Sequence, residues 1–311
     1  ADLPTVHTVM ALRQSAPIAR PIQPLRESNV TASTSADSSP SERQRPSRYQ
    51  SLPSAAARAA VRAEFEKKTQ GFVYDSAEQA EARFIEAGPD EFIYARYGNP
   101  TVAMFEERIA ALEGAEDAFA TASGMAAVSG ALTAMLKAGD HVVSSRALFG
   151  SCLYVLQDVL GRFGVEITLV DGTDNAAWDA AIRPDTRLVF LESISNPTLE
   201  VIDLRHVVKV AHAHGALVVV DDAMATPVFS YAKACGADIA VISTTKHVDG
   251  QGRMLGGMIC GPRDLIRGPI ETYIKHTGGA MNPFAAWTHL KALETIDLRV
   301  RAQAQTALDL A

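Results

Sequence analysis

Gly215-Ala-Leu-Val-Val-Val-Asp221 and Asp238-Ile-Ala-Val-Ile-Ser243-Thr-Thr-Lys246 are the segments whose reading decides the fold. Each opens with an apolar, β-branched run of strand length, and each ends on a chemically useful side chain. The 25 positions from Asp221 to Lys246 hold one crossover helix and one parallel strand. That spacing puts both groups at the carboxyl ends of nearby strands, where open α/β sheets bind their ligands. Outward from this stretch, His141-Val-Val-Ser-Ser145 and Arg187-Leu-Val-Phe-Leu191 read as further strands. From Ala77 onward strands and helices alternate, as a mostly parallel sheet with helices on both faces requires. The fold class is α/β.

Lys246 stands in Ser-Thr-Thr-Lys-His-Val-Asp-Gly-Gln-Gly-Arg, residues 243–253. Behind a buried strand an ammonium is costly, so the neutral amine, a nucleophile for carbonyls, becomes accessible. Pyridoxal phosphate, held as a Schiff base, is the cofactor that needs such an amine. A solvated strand-end cap is the other reading of the same lysine. The cofactor also needs an acid that keeps its pyridine nitrogen protonated. Asp221 fits that need, although strand-end aspartates also cap turns.

A phosphate cradle can be read in Thr121-Ala-Ser-Gly-Met-Ala-Ala-Val128. Met125, Val128, Leu132, Met135 and Leu136 fall at helical spacing. Ser123 is the candidate N-cap, Gly124 admits a close backbone approach, and free amides at a helix start bind anions. Ser243 and Thr245 could add hydroxyls to the same phosphate. Ser-Gly before a helix is also an ordinary helix start. Phe149, in Leu148-Phe-Gly-Ser151, could stack on the pyridine face or simply plug the core. Asn196, in Glu192-Ser-Ile-Ser-Asn-Pro197, is placed to hydrogen-bond the cofactor's phenolic oxygen.

Five ordered segments carry a family resemblance: Tyr94-Ala-Arg-Tyr-Gly-Asn-Pro-Thr101, Ala122-Ser-Gly-Met-Ala126, Glu192 to Pro197, Val220-Asp-Asp-Ala-Met-Ala-Thr-Pro227, and Ser243 to Gly250. From about residue 70 to the end the chain resembles the Cys/Met-metabolism family of fold-type I pyridoxal-phosphate enzymes. Within it, the Phe-Gly-Ser loop, Asp249-Gly-Gln-Gly-Arg253 and His276 to Trp287 are most similar to the O-succinylhomoserine sulfhydrylase branch. The γ-synthases, γ-lyases and β-lyases usually carry tyrosine where Phe149 stands.

The resemblance implies an aminotransferase-like fold and γ-replacement on an amino-acid substrate, with sulfide as nucleophile. Cystathionine γ-synthase or γ-lyase chemistry is the alternative, and a non-catalytic cofactor-binding scaffold is the alternative of another class. It makes Lys246 the Schiff-base lysine and general base, and Asp221 the pyridinium partner. Gly124, Met125, Ser243 and Thr245 become the phosphate ligands of the same subunit. Tyr94 and Arg96 become residues sent across a dimer interface, within an expected tetramer, to the neighbour's phosphate; Tyr94 would also help with proton transfers. Their bland reading is a surface aromatic–cation pair. In the family the substrate carboxylate is gripped by an arginine of a C-terminal small domain, which this chain is expected largely to lack. Arg299 and Arg301 are not assigned that role.

Composition agrees with a soluble α/β enzyme. The chain has 311 residues, 47% of them hydrophobic, and a formal net charge of −7, which gives no electrostatic case for nucleic acid. Three widely spaced cysteines favour a reducing cytoplasm, and no metal-spaced His/Cys cluster is read. No apolar run reaches membrane-spanning length. Residues 1–50, rich in Ser, Pro and Arg, read as a disordered extension without a secretory h-region. Residues 51–100 read as an N-terminal arm and dimer-contact segment, helical over 55–68. Residues 101–300 read as the cofactor-binding large domain and 301–311 as the start of the C-terminal domain.

Overall fold

The structure is a computed structural model and describes residues 69–86, 88 and 91–311. The described residues all belong to one unit. The expected disordered extension and the helix over 55–68 lie outside the described residues.

Seven strands form one sheet: β1 (Asp117–Thr121), β2 (His141–Ser145), β3 (Glu166–Val170), β4 (Thr186–Glu192), β5 (Leu217–Asp221), β6 (Ile239–Ile242) and β7 (Gly257–Gly261). Their spatial order is β1-β7-β6-β5-β4-β2-β3. β3, β2, β4, β5 and β6 pair in parallel, and β7 runs antiparallel between β6 and β1. The mostly parallel sheet expected from the sequence is present.

Among the described residues the α-helices, in chain order, are α1 (Ala77–Ile85), α2 (Pro100–Glu113), α3 (Gly124–Met135), α4 (Gly150–Tyr154), α5 (Asn175–Ala181), α6 (Leu204–Ala213), α7 (Thr226–Phe229), α8 (Tyr231–Ala234), α9 (Arg263–Leu265), α10 (Glu271–Thr277), α11 (Pro283–Leu293) and α12 (Ile296–Leu310). The period-2 geometry of a strand explains how both faces of the sheet are covered. Val189, Leu191, Val218 and Val220 point into one core with Phe105 and Ile109 of α2 and Leu204 of α6. Leu188, Phe190 and Val219 point into the other with Val128 and Leu132 of α3 and Leu156 just past α4. Each such fully buried side chain contributes about 1.5–3 kcal/mol, so continuous apolar strands are what a doubly covered sheet demands.

One expectation is corrected. The connection from Asp221 to β6 is not a single crossover helix but two four-residue helices, α7 and α8. Pro227 sits in the first turn of α7, and Ser230 between them is left-handed at φ 46°. The Ser230 hydroxyl lies 2.8 Å from both the Leu112 and the Pro227 carbonyls, which fixes the break. No helix among the described residues is long and apolar enough to cross a membrane.

An ion network fastens the edge strand β1 to the helices beside it. Arg267 donates to Asp117 at 2.6 and 3.0 Å, to Glu106 at 3.2 Å and to the Ala118 carbonyl at 2.9 Å. Burial raises both carboxyls, and they separate by degree. The more deeply enclosed Glu106 is pushed up to about 7 despite Arg267, whereas at Asp117 the arginine outweighs burial and holds the group low. This anchorage matters because β1 leads directly into α3.

Candidate active site

β4, β5 and β6 end side by side, and a cavity of about 450 Å³ opens at their carboxyl edge. Asp221, the last residue of β5, lies on its wall. Ser243, Thr245 and Lys246 follow β6 in a tight turn: the Lys246 amide donates to Ser243 O at 3.1 Å, and the Gly250 amide to Lys246 O at 2.8 Å. Gly124 and Met125, Phe149 and Asn196 complete the lining from three other loops. Eight of the ten residues singled out in the sequence therefore meet around one space.

Lys246 is itself exposed, which corrects the expectation of a lysine shielded from solvent. β6 ends with Ile242, and the lysine sits four residues later, beyond the sheet edge on the cavity rim, exposed although Thr244 and Val248 beside it in the turn are buried. Asp221 faces the opposite situation. Burial, then the nearby charges of Glu192 and Asp222, push its carboxyl up to about 7, opposed by the Ala223 amide at 3.1 Å. Both charged groups that raise it are negative, so the site favours a cation against this carboxyl.

Two side chains under the cavity were not given roles by the sequence. Glu192 accepts the Phe149 amide at 2.6 Å on one oxygen and the Asn196 amide at 2.8 Å on the other. One carboxylate thus sets the loop of the aromatic residue against the loop of the asparagine. Cys152 lies with its sulfur 4.0 Å from Asp221 Oδ2. Donor atoms of Cys152, Glu192 and Asp221 fall within 4.8 Å of one another, which is a metal-sized spacing. Burial pushes the Cys152 thiol far up, though, and both Glu192 oxygens are already hydrogen-bonded. The trio reads as a hydrogen-bonded floor.

The opposite end of the cavity holds the start of α3, a geometry that can cradle an anion. Ser123 caps α3 by accepting the Ala126 amide at 3.1 Å, and the first intrahelical bond is Ala127 N–H to Ser123 O. The Gly124 and Met125 amides precede that bond and are available to an anion. A Cβ on Gly124 would lie 2.7 Å from Ser243 Cβ and 2.8 Å from its Oγ. A Cβ on Gly257 would lie 2.3 Å from Ser123 O. The Gly256-Gly257 pair is a sequence signal of this close approach that the motif reading passed over. Thr245 departs from its expected part. Its Oγ1 donates to Gly256 O at 3.1 Å and accepts the Gly256 amide at 3.0 Å, so in this geometry the hydroxyl holds the turn onto β7.

Tyr94 and Arg96 do not reach this cavity. Arg96 lines a separate groove of about 560 Å³, donates to the Lys275 carbonyl, and lies over the Tyr97 ring at 4.8 Å and the Tyr94 ring at 5.4 Å. Tyr94 is 40% exposed.

An acid at one end, an amine on the rim, an aromatic face at Phe149 and a helix-start anion cradle at the other end fit a phosphorylated pyridine aldehyde. Lys246 would hold its carbonyl carbon, Asp221 its ring nitrogen, and the α3 amides with Ser243 its phosphate.

The chain matches the model of the Cys/Met metabolism PLP-dependent enzyme family over residues 55–311. It is 50% identical over 234 residues to the O-succinylhomoserine sulfhydrylase of Mycobacterium tuberculosis, covering 75% of this chain and 57% of that protein. It is 39% identical over 242 residues to the L-methionine gamma-lyase of Porphyromonas gingivalis, covering 77% and 60%. This chain therefore spans three-fifths or less of the length of these relatives. Among solved structures it resembles a candidate O-acetylhomoserine (thiol)-lyase of Campylobacter jejuni, which carries a pyridoxyl-lysine phosphate residue. The TM-score is 0.72 at 28% identity, over 79% of this chain and 69% of that one. These matches agree with the doubly covered sheet and the cavity at its carboxyl edge, and the chain belongs to the Cys/Met metabolism family of pyridoxal-phosphate-dependent, fold-type I enzymes.

Proposed function

We propose that the protein carries out pyridoxal-phosphate-dependent γ-replacement, converting O-succinylhomoserine and sulfide to homocysteine and succinate. The observation that carries the reading is the meeting of Lys246, Asp221, Phe149 and the α3 amides around one cavity. The choice of substrate rests on the similarity to the mycobacterial sulfhydrylase. The cofactor, when bound, supplies an electron sink for negative charge developing at the substrate's Cα.

The chain's own residues do the rest. The Lys246 amine would hold the cofactor's carbonyl carbon and would carry protons at the substrate's Cα and Cβ as general base and acid. Asp221 keeps the proton on the ring nitrogen, for which its anionic surroundings suit it. The Gly124 and Met125 amides and the Ser243 hydroxyl would hold the phosphate. Phe149 would lie against the ring and Asn196 would donate to the phenolic oxygen, the backbone of both loops being held in place by Glu192. Tyr94 and Arg96, which lie away from this cavity, serve the site of a second copy in a shared-site dimer, two of which make a tetramer. Residues 101–300 act as the cofactor-binding large domain of a cytoplasmic enzyme.

The test is product identity. With O-succinylhomoserine as donor, homocysteine formed with sulfide should outpace cystathionine formed with cysteine. Faster cystathionine formation moves the assignment to a γ-synthase. Elimination without addition of a nucleophile moves it to a γ-lyase, and no product at all supports a non-catalytic scaffold.

A further inference from the structure

We propose that Arg299 is a positioning residue for Lys246, holding the lysine-bearing turn by its free backbone carbonyls. The proposal rests on the reading of Lys246 as the cofactor-holding amine. The turn after β6 closes when the Gly250 amide donates to Lys246 O at 2.8 Å. The next carbonyls, of His247 and Val248, are then the acceptors a helical turn leaves open at its end. Arg299 fills both, with Nη1 to His247 O at 2.8 Å and Nη2 to Val248 O at 3.1 Å. The same guanidinium donates Nη2 to Ala292 O at 3.1 Å, near the end of α11, and Nε to Thr295 Oγ1 at 3.1 Å. One side chain of α12 therefore joins the lysine turn to the α11–α12 corner. A cation at the carbonyl end of a turn is favourable, and only the planar guanidinium reaches several acceptors at once.

A second observation comes from the turn itself. Gly250 has φ +64°, and a Cβ there would lie 1.9 Å from Arg299 Nη1 and 2.6 Å from its Cζ. The backbone is shaped around the guanidinium. A third is on the same helix: Gln303 Oε1 lies 3.2 Å from Nδ1 of His247, a cavity-lining residue. The neighbouring Arg253 is taken by Asp249 at 3.0 Å, so the two arginines have separate tasks. Arg253 closes the loop on itself, and Arg299 ties that loop to α12.

The experiment compares wild type, Arg299→Ala, Arg299→Lys and Gly250→Ala, each loaded with pyridoxal phosphate. It reads the melting temperature, the cofactor fixed at Lys246 by borohydride, and the visible circular dichroism per bound cofactor. Arg299→Ala and Gly250→Ala should both bind cofactor yet lose most of the visible dichroism, because the lysine no longer holds the ring in one orientation. Turnover should fall by on the order of a hundredfold with KM little changed, the cost of a small misplacement. Added guanidinium ion should restore part of the band to Arg299→Ala but none to Gly250→Ala, and Arg299→Lys should recover little. Arg299→Ala with a lowered melting temperature but a wild-type band overturns the proposal, since a purely structural role predicts that. If Arg299→Ala does not fold, a wild-type band in Gly250→Ala overturns it equally. Wild-type protein with no cofactor at Lys246 overturns the reading beneath it, and the proposal with it.

Discussion

Asp221 shows what one residue's surroundings do to its chemistry. Its carboxyl sits near 7 because burial and two negative neighbours penalise the charge. A raised acid stabilises the fold fully below the unfolded value near 3.8 and loses that contribution as pH rises through about 7. The cofactor-free protein should therefore melt lower at pH 8 than at pH 5, and Asp221→Asn should reduce that drop. Cofactor should reverse the order, because a ring cation rewards the charged carboxylate. A calorimetric series across pH, with and without cofactor, checks both signs. Turnover of Asp221→Asn should fall by on the order of 10²-fold or more.

The element that organises the phosphate end is α3. Replacing Ser123 by alanine removes the cap on Ala126 and should cost about 1 kcal/mol, measured by chemical denaturation, together with weaker cofactor retention. This element was legible in the sequence because Ser123, Gly124 and the apolar spacing from Met125 all state local rules. The strands were legible for the same reason, and Asp221 and Lys246 were found by standing at strand ends. What escaped was set by tertiary contact. Nothing local says that the Glu192 oxygens serve two loops, that the Thr245 hydroxyl is spent on Gly256, or that Arg299 meets Gly250. The break at Ser230 also depends on a carbonyl of α2, more than a hundred residues away.

At the scale of the molecule, several acids among the described residues are raised by burial, and they make stability a function of pH. Glu113 is the extreme case: it is 1% exposed, neither carboxylate oxygen has a hydrogen-bond partner, and burial followed by the charge of Asp222 pushes it up to about 8. Its contribution is full below the usual value of 4.5 and lost as pH rises through about 8. Glu113→Gln should accordingly raise the melting temperature at pH 9 and change it little at pH 5; a parallel shift at both would contradict the assignment. The cavity, the sheet edge and the family all converge on a single amine, so the most direct measurement is borohydride reduction of the purified, pyridoxal-phosphate-loaded protein followed by peptide mapping. The account predicts a visible absorbance that bleaches on reduction, with the pyridoxyl group found on Lys246 and a colourless Lys246→Ala variant. Label spread over other lysines, or an equally coloured Lys246→Ala protein, would contradict it.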